Sequence, residues 1–170
     1  MQRRTLLGLG VAGAAVLALA GGGAAWMVEA AWRDGELLPA GRRVLAPIAR
    51  AVLDGSLPAD PGAADSAINA HIARMQTLLR GLPPHTQREL ADLLALLALQ
   101  PGRRVLAGLS STWDDAAVSE VQAALQSMRQ SSLLLRRQAY NALRDLTHAA
   151  YYADASTWLL LRYPGPRAVA

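Results

Sequence analysis

The chain has 170 residues, 52% of them hydrophobic, and a formal charge of +4 with a pI near 10.3, yet it contains no Cys, no Phe and no Lys. Without Cys it has no thiolate ligands for an iron–sulfur cluster, no attachment point for c-type haem, no thiol nucleophile and no disulfide. Apart from Arg3 and Arg4, fifteen arginines face thirteen acids, so the high pI reflects the scarcity of groups titrating between His and Arg rather than a basic stripe, and nucleic acid is excluded as a partner.

The first element is an apolar leader. Arg3-Arg4 followed by Thr5, Leu6 and Leu7 resembles a twin-arginine export signal, with Gln2 and Gly8 departing from the commoner residues at their positions. From Thr5 to Val28 the chain is uncharged, and such a stretch as a helix spans on the order of 36 Å, enough to cross a bilayer core. Ala18-Leu19-Ala20 offers a cleavage site, while Trp26 and Trp32 would suit an outer membrane interface if the leader stays. Residues 1–31 are therefore read as a signal or an inner-membrane anchor, and residues 32–170 as one helical domain delivered outside the cytoplasmic membrane.

Leu- and Ala-rich composition with few β-branched runs predicts an all-α fold, a compact bundle of five to six helices. After a break at Asp34-Gly35 and Pro39, the spacing of Val44, Leu45, Ile48 and Val52 predicts a helix over 41–53, kinked or restarted at Pro47. A loop follows, in which Asp54, Asp60 and Asp65 lack the alternation of a calcium loop. Ile68, Ile72, Met75, Leu78 and Leu79 predict a helix over 66–80 stopped by Gly81. Thr86 and Glu89 fit a capping box for the next helix, which carries Leu90, Leu93, Leu94 and Leu97 on so much of its circumference that it is expected to be central.

Pro101-Gly102 then predicts a stop, and 103–109 a short helix with Val105, Leu106 and Leu109 turned inward. Ser110 to Asp114 read as a second capping signal, with Trp113 packing at the start of a helix that carries Val118, Val121, Leu125 and Met128. Asp114-Asp115 belong to that cap rather than to acid–base chemistry. The last long helix is predicted over 133–152, burying Tyr140, Leu143, Leu146 and Ala150. Arg136-Arg137 are read as a solvated face or as a contact for an acidic partner.

No catalytic, metal or cofactor constellation stands out. His71, His85 and His148 fall on different predicted elements; His71 with Met75 reads as a packing face, and His148 as a hydrogen-bonding residue near Arg144 and Asp145. The glycines of GLGVAG lie in the leader with no strand before them, so they form no dinucleotide fingerprint. What does stand out is the C-terminal stretch, residues 151–166. Tyr151, Tyr152, Trp158 and Tyr163, half of all aromatic residues, fall within thirteen positions and run into Pro164-Gly165-Pro166. Such a hook suits a packed terminus, a partner-facing anchor, or both.

Taken with the leader, the pattern Leu143-Arg144-Asp145-Leu146 through Tyr151-Tyr152 to Trp158 and Tyr163-Pro164-Gly165-Pro166 resembles the gluconate 2-dehydrogenase subunit 3-like family. The resemblance is best over the final quarter, and Arg162 stands where Gly is expected. It implies a non-catalytic, periplasmic small subunit that carries no cofactor itself. Such a subunit stabilises and escorts a large flavoprotein dehydrogenase of the glucose-methanol-choline type, which holds FAD and passes electrons to a cytochrome or quinone. On that reading Arg3, Arg4, Leu6 and Leu7 form the export signal, and the interface falls to Tyr151, Tyr152, Trp158, Tyr163, Pro164, Gly165 and Pro166. The residues by themselves also allow a membrane-tethered helical scaffold or export chaperone with no dehydrogenase partner, or a cofactor-free enzyme with a pocket at His148 and the tyrosines.

Overall fold

The computed structural model describes residues 29–158 and 162–165. Arg3, Arg4, Leu6, Leu7, the expected cleavage site and Trp26 of the expected leader, and Pro166 of the hook, lie outside the described residues. Among the described residues no helix is long and apolar enough to cross a membrane.

A two-residue hairpin comes first. β1 (Trp32–Arg33) pairs antiparallel with β2 (Glu36–Leu37), Trp32 opposite Leu37. Asp34 and Gly35 join them with φ of 51° and 81°, the doubly left-handed turn that matches strand twist and that an Asp-Gly pair adopts at little cost. The hairpin is pinned to the helices beyond it. Gln76 Oε1 accepts from the Leu37 amide at 3.1 Å, and Gln87 Oε1 accepts from Trp32 Nε1 at 3.2 Å.

Apart from that hairpin, every regular element among the described residues is helical, and the chain is all-α as its composition predicts. Helix α1 (Pro39–Val52) begins on a proline, whose missing N–H is one of the donors a first turn leaves free. It runs through Pro47 without the restart that was one of the two expectations there. Pro47 is only half-buried, on the outer side of the helix, where the Arg43 carbonyl it deprives of a donor can meet water. The inward side carries Val44, Leu45 and Ile48, all fully buried.

α2 (Pro61–Arg80) starts five residues before the expected Ser66. The Asp60 carboxylate accepts from the Ala63 amide at 2.7 Å, so Asp60-Pro61 supplies the cap and first turn that the apolar spacing alone does not reveal. α3 (Pro84–Ala98) likewise opens on Pro84. Thr86 lies inside its first turn, and the expected capping box of Thr86 with Glu89 does not form. Leu99 is extended, then α4 (Gln100–Gly102) leads directly into a π-helical turn (Arg103–Ala107) closed by Gly108 at φ 74°. The wider turn places Arg103, Leu106 and Ala107 inside and leaves Val105 62% exposed, correcting its inward assignment. A side chain at Gly102 has no room, because its Cβ would fall 1.9 Å from the Leu96 carbonyl oxygen.

α5 (Val118–Gln130) starts after Asp114 and Asp115, which stay in the preceding turn. Its cap is the Glu120 carboxylate, accepting from the Ala117 amide at 2.9 Å and from the Ser111 hydroxyl at 3.0 Å. Trp113 is buried and donates from Nε1 to the Leu97 carbonyl at 2.7 Å, tying this turn to the end of α3. α6 (Leu134–Tyr152) buries Leu143, Leu146 and Ala150 as predicted, with Tyr140 half-buried. A last short helix, α7 (Ala155–Trp158), follows.

The central helix is α1 rather than α3. It packs against α2, α3, α5 and α6, and the core assembles around it from Leu45, Ile48, Ile72, Met75, Leu97, Met128 and Leu143, each under 2% exposed. α3 is apolar on a wide arc because it serves both α1 and the π turn. Arg136 of α6 meets the chain itself. Its Nε donates to the Leu106 carbonyl at 2.8 Å and a terminal nitrogen donates to the Ser127 hydroxyl at 3.0 Å. Arg137 donates to the Ser131 and Ser132 carbonyls, closing the bend between α5 and α6.

Candidate functional site

The end of α6 separates the two adjacent tyrosines: Tyr151 turns inward, 9% exposed, while Tyr152 is 50% exposed. A helix leaves its last carbonyls without internal donors, and the residues that follow supply them. The Thr157 hydroxyl lies 3.0 Å from the Tyr151 carbonyl and 2.8 Å from that of Asp154, and Trp158 Nε1 donates to the Tyr152 carbonyl at 2.8 Å. Asp154 opens α7 by accepting from the Ser156 amide and hydroxyl at 3.0 and 2.8 Å. The chain turns back on itself and stays there through hydrogen bonds that the helix end would otherwise lack.

Beyond α7 the Tyr163 amide donates to the Trp158 carbonyl at 2.9 Å, and the two rings meet edge to face with centroids 5.4 Å apart. Gly165, at φ 91°, lies so close to the indole that a Cβ would stand 3.1 Å from Cζ3. Arg162 has a φ of 53°. That left-handed backbone is what Gly adopts without cost and Arg does not. Pro164 and Tyr163 are exposed, the latter 48%. The aromatic cluster thus has a buried member, Tyr151, a clamped member, Trp158, and two outward faces, Tyr152 and Tyr163. His148, expected to order the last helix by a hydrogen bond, instead sets its ring 5.7 Å from that of Tyr152, one turn on.

Behind the hook lies an open cleft of about 770 Å³ between the loop after α1, the outer half of α2 and the start of α7. Leu53, Leu57, Pro58 and Ala67 form apolar walls, and His71, Arg74, Tyr151 and Asp154 bring the polar groups. Arg74 and Asp154 form an ion pair at 3.0 Å that ties α2 to the turn after α6. His71 is 1% exposed, and both its ring nitrogens and Arg74 Nε are buried without a hydrogen-bond partner. Burial first, and then the Arg74 charge, push the imidazole down to about 4, with Asp154 opposing. Asp154 is itself held below the usual carboxylate range, chiefly by its hydrogen bonds from Ser156. At neutral pH the cleft therefore holds an uncharged imidazole beside an internally balanced ion pair.

Sequence reasoning did not find this site. His71 was paired with Met75, which does pack in the core, and the tyrosines with His148, whereas the cleft joins Tyr151 to His71. The three-residue step from His71 to Arg74 along α2 was the only local signal. The three acids from the end of α1 to the first turns of α2 serve structure: Asp60 caps α2, Asp65 pairs with Arg50 at 2.7 Å and Asp54 accepts from Gln122 at 3.1 Å. Among the described residues no group of three or more His, Cys, Asp or Glu is placed to hold a metal ion. No protein-family model matches the chain, and no curated protein or solved structure matches it either.

Proposed function

We propose that the chain is a non-catalytic small subunit of an exported, FAD-dependent dehydrogenase of the glucose-methanol-choline type. In this reading it stabilises the flavoprotein, escorts it to the periplasm through the leader, and remains tethered to the inner membrane if the leader is retained. The FAD belongs to the partner, and the electrons leave the partner for a cytochrome or quinone.

The observation that carries the proposal is the construction of the hook. Tyr152 and Tyr163 are half exposed while the backbone beneath them is fixed by Trp158, through its Nε1 bond to the Tyr152 carbonyl and its edge contact with Tyr163. A rigid exposed aromatic loses little conformational freedom on docking, which is what makes such side chains effective interface anchors. Tyr151, Trp158 and Gly165 then support the anchors from behind, and Pro164 limits the freedom of the backbone beside Tyr163.

The test is purification of the full chain from its native host through a C-terminal tag, with an absorbance scan for flavin and identification of co-eluting chains. A stoichiometric flavoprotein, lost in the Tyr152→Ala/Tyr163→Ala double variant while the far-ultraviolet circular dichroism is unchanged, supports both the assignment and the interface. A colourless chain recovered alone refutes the assignment and favours a membrane-tethered scaffold or export chaperone.

A further inference from the structure

A groove of about 440 Å³ lies between the outer side of α1 and the turn that leads into α5. Positions three and four apart share one face of a helix, and on this face Arg42, Arg43 and Arg50 bracket Ala46 and Pro47. The arginines are held loosely. The Arg42 guanidinium has no ion-pair or hydrogen-bond partner among the described residues, Arg43 pairs with Glu29, and Arg50 pairs with Asp65 at 2.7 Å. Both pairs are at the surface, where such contacts contribute little, so another carboxylate can compete for either arginine. Glu29 and Asp65 do not line the groove; inside it the three cations meet a single acid, Asp114, on the opposite wall.

The shape of the groove narrows the choice of occupant. From Arg42 and Arg43 to Arg50 is seven to eight residues of helix, about 11 Å along the axis. A small anion reaches one end and leaves the apolar middle uncovered, where Ala116 and Val118 stand across from Ala46 and Pro47. An extended chain reaches both ends. At about 3.3 Å per residue, carboxylates four positions apart project from one side about 13 Å from each other, within the play of arginine side chains, and an apolar residue falls between them. Asp114 sets the other side. A polyanion charged all round, whether nucleic acid or a layer of anionic lipid head groups, meets that carboxylate, whereas a strand charged on one side turns neutral residues to it. Nor does the chain supply the occupant from outside its described residues, since 1–28, 159–161 and 166–170 contain no Asp or Glu.

We propose that this groove docks an extended acidic segment of a partner protein. Two carboxylates four residues apart meet Arg42 and Arg43 at one end and Arg50 at the other, and an apolar side chain between them covers Ala46 and Pro47. No residue of the hook lines the groove, so the inference stands or falls separately from the dehydrogenase assignment.

The probe is the acetylated and amidated peptide GESLSEG, with GQSLSQG as its uncharged counterpart. Each is titrated at pH 7 and low salt into the full-length ¹⁵N-labelled chain in a nonionic detergent, with backbone amide signals reporting the place of binding. GESLSEG is expected to shift the amides of residues 42–50 and 114–118 saturably in the millimolar range, with GQSLSQG about tenfold weaker or worse. Salt at 0.5 M is expected to weaken GESLSEG binding by about fivefold. Arg42 and Arg50 lie outside the core, so Arg42→Gln/Arg50→Gln is expected to weaken binding about tenfold with the circular dichroism unchanged. Asp114→Asn removes the like charge and is expected to tighten binding by about twofold. Amides of residues 42–50 that stay unmoved overturn the proposal, as does GQSLSQG binding as tightly as GESLSEG. Glutarate matching the peptide overturns the extended occupant and leaves a small-anion site. Phosphatidylglycerol added to the micelles, shifting the same amides while the peptide does not, overturns the protein partner and assigns the face to lipid.

Discussion

Acid should loosen this fold through one buried histidine, and the size of the effect can be worked out beforehand. His71 has an ordinary value of 6.5 and is pushed down to about 4 in the folded chain. The unfolded chain therefore takes up a proton as the pH drops below 6.5, while the folded chain resists until about 4. Stability contributed by the neutral imidazole is complete above 6.5 and is lost progressively as pH falls through that window. At pH 5 the unfolded state is protonated almost fully and the folded state only about a tenth, so with 1.36 kcal/mol per unit the loss is about 2 kcal/mol. Asp154, with a value held below 3.8, contributes a loss of its own only as the pH falls beneath that figure, outside the window. The assay is urea denaturation followed by helical circular dichroism at pH 7, 6 and 5, for the wild type and for His71→Leu, an apolar side chain of similar volume. The wild type is expected to lose about 2 kcal/mol more than the variant between pH 7 and 5. Parallel pH dependences for the two chains would refute the argument, since His71 would then titrate alike in the folded and unfolded states.

Three further outcomes follow from single contacts. Gly102→Ala drives a methyl group into the Leu96 carbonyl, 1.9 Å away, and should cost about 3 kcal/mol or more, read as a drop in the thermal midpoint. Trp113→Phe keeps most of the ring but strands the buried Leu97 carbonyl that Nε1 now serves; the expected loss is about 1–3 kcal/mol by urea denaturation. Trp158→Ala removes the clamp on Tyr152 and Tyr163 without entering the core around α1. It should speed tryptic cleavage after Arg162 by about tenfold while the midpoint of the main transition barely moves, because the hook opens locally.

Much of the helical layout is legible in the chain because the signal is local. Val121, Leu125 and Met128 recur at helical steps and all three are buried, as are Leu93, Leu94 and Leu97 on α3 and Leu143, Leu146 and Ala150 on α6. The starts of α2 and α3 were misplaced for an equally local reason: Asp60-Pro61 and Pro83-Pro84 begin helices, and weighting their turn-forming character hides that role. The aromatic concentration near the C-terminus was visible, and so was the odd Arg at 162; that Arg162 sits in left-handed backbone was not.

By itself, then, the sequence determined an all-α chain with its apolar stripes and an aromatic tail. Periodicity states which side of a helix avoids water, and it is silent on what that side meets. Only the tertiary structure made α1 the hub, turned Val105 outward on a π turn and sent Arg136 to the Leu106 carbonyl. It also brought Asp154 across to Arg74 and laid both beside His71. The cleft exists because residues far apart in the chain share one space, and no spacing rule along a single helix encodes a distance between two of them.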